Sequence, residues 1–204
     1  MPNPITKEEA QEILSPYLKL IQEAVTEAVN NYYSASELTP LRAKLSKRSH
    51  ASNCHDLVVS AIIERFEREP GTRCFYKKNL FLLSIKGRIV LRFKMFDHNL
   101  MSHGIQTKQM HALSYQDVSQ LEFDDMPPDG LLHVGYRLNA LHTGVEKVYI
   151  TYRYGNFNVW DWDITQTQQS NVEQIQFTQQ TNTKPAKRKP KLKTNNVGDM
   201  SESI

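Results

Sequence analysis

The chain has no apolar run longer than four residues, and its N-terminus, MPNPITKEEAQE, is acidic and polar where an export signal is basic and then apolar. Neither a membrane span nor a secretory leader is expected, and the cytoplasm is the expected compartment. Cysteine is scarce: Cys54 and Cys74 stand alone among 204 residues. Two thiols, in segments that read as a helix and a strand, are expected to be reduced core residues and exclude a disulfide scaffold. CxxC, HExxH, GxSxG and a Gly-rich phosphate loop are all missing, as is a Cys/His nucleophile pattern. The seven histidines do not restore a metal site, because His50/His55 and His98/His103 are each spaced by five, which suits no common helical ligand pair. Neither a metal nor a cofactor is expected.

A surplus of one charge is missing from most of the chain as well. The formal net charge is +3, yet residues 184–204 hold six of the 25 Lys and Arg and two of the 22 Asp and Glu. Residues 1–183 therefore carry 19 cations and 20 carboxylates, a net of −1. That balance argues against a body that binds nucleic acid over its whole surface, since such binding rests on summed neutralisation of phosphates.

What is present divides into three parts. Residues 1–47 read as a helical segment. Thr6 and Glu9 form a capping box, and Ala10, Ile13, Leu14, Leu18, Ile21, Val25, Ala28, Val29 and Tyr32 follow the helical period over 6–33. Pro16 interrupts this stretch, with Ser15 placed to cap a new helix, and a short helix is expected after Thr39-Pro40. Residues 48–164 read as an α+β core domain. The stretch RSHASNCHDLVVSAIIERFERE puts Cys54, Leu57, Val58, Ala61, Ile62 and Phe66 on one stripe and ends before Pro70. From Arg73 the period becomes two. TRCFYKK, NLFLLSI and RIVLRFKMF read as strands, a polar helix capped by Thr107 follows near 107–118, and an acidic linker, QLEFDDMPPDG, precedes strands near 131–140, 145–154 and 157–164. The expected architecture is N-terminal helices packed on an antiparallel sheet of about five to six strands. Residues 165–204, polar and then basic (KPAKRKPKLK), cannot bury enough surface to fold and read as a disordered tail.

Register arguments sharpen two hairpins. At Gly155-Asn156 a two-residue loop would set the apolar face of one strand against Asp161 and Asp163. A three-residue loop joins Val148, Ile150 and Tyr152 to Trp160 and Trp162 and leaves Lys147 and Arg153 with the aspartates. The second is expected. At Lys86-Gly87 a two-residue loop sets Ile85 opposite Arg88, Leu83 opposite Val90 and Phe81 opposite Arg92, so that Arg88, Arg92 and Lys94 share a face with apolar residues. A guanidinium on such a face must be paired, stacked or at the mouth of a cleft, because burying it bare costs several kcal/mol, roughly. Snorkelling at a sheet edge is one outcome; an anion site in which Arg92 and Lys94 grip a phosphate or carboxylate is the other. The only nearby helix with a polar residue at the edge of its stripe bears His55, so Arg92 and Lys94 are expected at the rim of a cleft beside that helix. A metal-free ribonuclease needs no more than a His for proton transfer and Arg or Lys for the phosphate, a role His55, Arg92 and Lys94 could fill if they converge.

The succession RSHASNCHDLVV, LFLLSIKGRIVLRFKMFD, GIQTKQMHAL, LHVGYRLNALHTGVEKVYI and VWDWDI resembles a family of small bacterial and phage proteins. The family pattern has an Arg and His-Asp helix, a vlRFKk strand, a TqQ turn and a GY hairpin, and the likeness covers roughly residues 45–164. Matching positions are Arg48, His55, Asp56, Arg92, Lys94, Thr107, Gln109, Gly135 and Tyr136; Met95 departs, standing where the pattern often has a second basic residue. Such proteins look like operon partners of helix-turn-helix proteins carrying a zinc-peptidase-like domain. The resemblance implies a toxin–antitoxin or phage-defence role with a cognate antitoxin-like protein as partner, and carries over no activity. Two readings follow. One is a toxin acting on RNA or on translation, with His55 catalytic and Arg92, Lys94, Arg48, Thr107 and Gln109 binding the anion, the last two as neutral donors. The other is a non-enzymatic binding module, an antitoxin or defence adaptor. A membrane is no partner in either.

Overall fold

In the computed structural model the described residues are 5–77, 79–104, 107–116 and 130–165. Their architecture is α+β, with helices in the N-terminal part packed on a six-stranded sheet. Helix α1 (Lys7–Leu14) starts at the expected capping box: the Thr6 hydroxyl accepts from the Glu9 N–H and the Glu9 carboxylate accepts from the Thr6 N–H. A 3₁₀ turn at Ser15–Tyr17 carries the chain past Pro16 into α2 (Leu18–Ser34); Ser15 has helical dihedrals and ends α1 as its C-cap, so it is not the expected N-cap of the next helix. Helix α3 (Thr39–Arg42) is a single turn, and α4 (Lys47–Phe66) is capped by Ser46. Leu57 is exposed on α4, and Val59 takes its place in the core. Both cysteines are free. Among the described residues no helix is long and apolar enough to cross a membrane.

The strands are β1 (Thr72–Lys77), β2 (Leu80–Ile85), β3 (Ile89–Met95), β4 (Gly130–Leu138), β5 (Val145–Tyr154) and β6 (Phe157–Asp163), in that spatial order. The expectation of an antiparallel sheet is corrected at its centre: β3 and β4 are parallel, so the sheet is mixed. A parallel pair needs a long crossover, and residues 96–129, which include helix α5 (Lys108–Ser114), provide it. That crossover puts a helix on the second face. One face carries Phe81, Leu83, Ile85, Ile89, Leu91, Phe93, Leu132, Val134, Tyr136, Val148, Ile150 and Tyr152 into a core shared with α1, α2 and α4. On the other, Leu82, Val90 and Leu131 pack against Ala112 and Leu113 of α5. The expected acidic linker lies outside the described residues from 120 to 129, and the expected tail lies outside them apart from Thr165, whose hydroxyl accepts from the Val148 N–H at 3.0 Å.

Both hairpin registers differ in mechanism from the sequence reading. The β2–β3 connection has three residues, Lys86–Arg88, with Lys86 and Gly87 at positive φ, and sets Ile85 opposite Ile89 and Leu83 opposite Leu91. The two-residue loop would have driven Arg92 into the helix-side core; the extra residue keeps that face apolar and turns Arg92 and Lys94 to the other side. At β5–β6 the loop is the two residues Gly155-Asn156, with Tyr154 opposite Phe157, and a bulge at Val159 then corrects the register. Trp160 therefore meets Tyr152 and Trp162 meets Ile150, the face expected, while Lys147 pairs with Asp163 at 2.9 Å and Arg153 stands opposite Asn158. Gln116, just past α5, closes the second face: its amide donates to the carbonyls of Leu131 and Arg153 and accepts from the Leu131 N–H, each at 2.9 Å. Gln116→Leu removes the partners of one buried N–H and two carbonyls and is expected to lower the unfolding free energy by about 1–3 kcal/mol, read from the urea midpoint.

Candidate anion site

The residues that turn away from the helix core bring basic groups together. Register places Arg92 beside His133, His133 beside Thr151, and Lys94 beside Gly135. Arg153 stands beside Leu131 on the same face by alternation. Arg92 and His133 are each only 3% exposed and Arg153 8%. The Arg92 Nη2 donates to the Met110 sulfur of α5 at 3.1 Å, a weak acceptor, while its Nε and Nη1 are buried without a hydrogen-bond partner. His133 Nδ1 and Gln109 Nε2 are buried and unpartnered too. Arg153 donates from Nε to the Gly155 carbonyl at 2.8 Å. Among the described residues, carboxylates stand only at the margin. Asp161 follows Thr151 across the row on exposed β6. Asp97 faces Arg153, but its oxygens accept from the N–H groups of Asn99 and Met101 and from His103.

This concentration of cations leaves a mark on every titratable group in it. Burial pushes the Arg92 guanidinium down to about 10, aided by Arg153. Burial and Arg92 push the Lys94 ammonium down to about 8. His133 is held well below the ordinary imidazole range by burial and then by Arg92, Arg153 and Lys94. His55, partly buried on α4, is lowered by burial and by Lys94 and Arg92, against the opposing pull of Asp56. It thus lies within electrostatic range of both cations, from α4, which packs on the opposite side of β3 from α5. Among the described residues no hydrogen bond joins His55 to either cation.

The sequence-predicted residues therefore divide. Arg92, Lys94 and Gln109 lie on the α5 side of the sheet, with Arg92 buried under α5 rather than at a rim. Arg48 is exposed in the first turn of α4, and Thr107 is exposed and engaged in capping α5, its Oγ1 accepting from the Met110 N–H at 3.1 Å. Neither joins the buried cluster. Tyr136 lies on the helix side with its hydroxyl beside Cys54, and burial raises it far above its ordinary range. His133 and Arg153 complete the cluster and were not singled out from the sequence. Their signal was there: His133 alternates with Leu132 and Val134, and Arg153 with Tyr152 and Tyr154, in strands apolar on the helix face.

Chemically, the arrangement is, among the described residues, a buried set of N–H donors with excess positive charge, which is what an anion requires. Among the described residues, no group of three or more His, Cys, Asp or Glu side chains is arranged to hold a metal ion. No family model matches the chain, and neither the curated proteins nor the solved structures contain a significant match.

The shifts fix the sign of the pH response. His133 and His55 are lowered, so below about 6.5, the ordinary value, the unfolded chain takes up protons that the native state refuses, and stability falls as pH falls. Lys94 is lowered from 10.5 to about 8, so over that interval the native state loses its proton first and stability rises with pH. Urea midpoints should climb from pH 5.5 to 7; between pH 8 and 10 the raised Cys54 and Cys74 thiols pull the other way, so the Lys94 contribution is read as the wild-type midpoint minus that of Lys94→Met, which should climb across that window. A difference that stays flat or falls between pH 8 and 10 would contradict the placement of Lys94.

Proposed function

We propose that the protein is a toxin-like component of a bacterial or phage two-gene module that acts on RNA through a phosphate-binding basic site. Arg92, Lys94, His133 and Arg153 hold the phosphate, and Gln109 adds a neutral donor. The observation that carries this reading is Arg92: a guanidinium 3% exposed, with two nitrogens unpartnered and, among the described residues, no carboxylate beside it, is costly unless an anion is supplied. The toxin role and the cognate antitoxin-like partner rest on the family resemblance. If it is an enzyme, the activity is ribonuclease-like and metal-independent.

The test is induced expression in a bacterial host with and without the neighbouring gene. Growth arrest that the neighbour relieves is expected, with arrest abolished in Arg92→Met while the variant remains folded. Absence of arrest, together with a stable complex between the two gene products, would replace this reading with the second, a non-enzymatic binding module. One observation favours that alternative: His111, Tyr115, Tyr154 and Phe157 form a chain of ring contacts at 4.6, 5.4 and 6.2 Å, and Tyr115, Tyr154 and Phe157 are exposed.

A further inference from the structure

Where β3 ends, the chain opens into a cleft of about 860 Å³ lined by α2, α3, the start of α4, the segment after β3 and the β4–β5 connection. Four of the seven histidines, His50, His98, His103 and His142, line it, and none of them belongs to the buried cluster. Its charges are unevenly committed. Arg137 is paired with Glu146 at 2.8 Å, and Asp97 is occupied by its own loop and by His103 Nε2 at 2.8 Å. Arg42 directs its guanidinium at the carbonyls of Tyr32 and Ala35 and at Thr39, and among the described residues neither it nor the exposed Lys47 has an ion-pair partner. The lining also offers flat surfaces: Tyr33 and His50 are stacked, with ring centroids 6.2 Å apart and planes within 16°. His50 is fixed by a 2.8 Å hydrogen bond to the Tyr32 hydroxyl, and His103 by Asp97, so both imidazoles are oriented.

The cleft and the buried cluster share a wall. Phe96 lines the cleft, and its ring lies against Gly135, the strand neighbour of Lys94. We infer that this cleft holds a segment of single-stranded RNA, with phosphates against Arg42, Lys47 and the imidazoles and a base against the Tyr33–His50 pair. A groove that combines uncompensated cations with aromatic faces suits a strand whose bases are unstacked. An acidic peptide would use the cations and leave the stacked rings without a role. The volume lies within the roughly 300–1,000 Å³ of small-ligand pockets, enough for one or two nucleotides and not for a duplex. The inference rests on the RNA-directed reading above for its choice of ligand, and it enlarges the site from one phosphate to a strand.

The measurement is fluorescence anisotropy of an end-labelled oligouridylate on the full chain, with a labelled oligoglutamate as the competing ligand class. The wild type should bind the RNA with an affinity that falls steeply with salt. Lys47→Ala combined with His142→Asn, both at exposed positions, should weaken it at least tenfold and reduce the salt slope. The same variant should keep the rise in melting temperature that sulfate gives the wild type at the buried cluster, which shows the fold and that cluster intact. RNA affinity within twofold of wild type in the variant, or tighter binding of oligoglutamate than of RNA, overturns the inference. Growth arrest that persists alongside either result would leave the proposed function standing; its absence in a variant-independent manner would count against that function and not against the cleft.

Discussion

Arg92→Met is expected to give a protein that is more stable than the wild type when no anion is bound. Arg92 is 3% exposed on the second face of the sheet, with Met110 above it, His133 beside it and Nε and Nη1 unpartnered. Charge buried in this way is opposed by desolvation and by its basic neighbours, as the downward displacement of its own titration shows. An unbranched thioether of similar length fills the space without either penalty. Replacing even well-paired buried ions with apolar residues is often stabilising by about 1–4 kcal/mol, and here the one hydrogen bond lost is the weak one to the Met110 sulfur. For a chain of this size that is a rise in melting temperature of roughly 2–4 °C per kcal/mol. The measurement is a thermal melt in chloride buffer free of phosphate and sulfate, repeated with sulfate added. Wild type should gain stability from sulfate and the variant should not, so the two curves converge or cross as the anion is titrated. A variant less stable than wild type in chloride alone would mean that Arg92 is a structural residue, and the anion site would lose its foundation. The same trade of stability for a binding charge is common where a site must be ready before its ligand arrives.

How much of this was legible in the sequence depends on how far apart the interacting residues are. The Thr6–Glu9 box and the Thr107 cap are closed within one turn, and both stand as read. The face of β6 was legible because Trp160 and Trp162 must meet Tyr152 and Ile150, although the chain achieves this through a bulge at Val159 and not through a longer loop. The β2–β3 register departs from the expectation for a local reason: Lys86-Gly87 suits a two-residue turn, yet the loop takes a third residue, Arg88, and that single residue moves Arg92 from one face to the other. The parallel pairing of β3 with β4 could not be read at all, because alternation states which residues share a face and not which strand lies alongside. That is why His133 was passed over. In the sequence it is one polar residue in LLHVGYRL; it becomes part of a site only when Arg92 is set directly beside it across a parallel ladder. Arg153 entered through the same unreadable step, by way of β4.

Gly135→Ala is expected to be the most damaging single methyl in the molecule. Gly135 is buried in β4, and a Cβ built on it would sit 2.3 Å from the Cδ2 and Cε2 of Phe96 and 2.4 Å from its Cζ. Real side chains do not tolerate such distances, so the ring must leave. It has little freedom to do so: Phe96 is 6% exposed, and its N–H donates to the Tyr136 carbonyl at 2.9 Å, which ties the residue to the strand next to the glycine. Overpacking of this kind costs typically 1–3 kcal/mol and more where backbone must move, so a loss of about 3 kcal/mol is expected. Phe96→Ala alone is expected to be destabilising as well, through the space its ring vacates. The two together should be less damaging than the sum, because the alanine methyl then fills part of the gap left by the ring. A double-mutant cycle in urea measures that coupling, and simple additivity would show that the ring and the glycine are not in contact. The prediction reaches function because Phe96 is the wall between the cleft and the buried cations. If Phe96→Ala at a temperature where it is fully folded lets sulfate reach Arg92 faster than in the wild type, measured as the relaxation rate of the stability gain after mixing, the ring limits access to the anion site; an unchanged rate would confine Phe96 to packing.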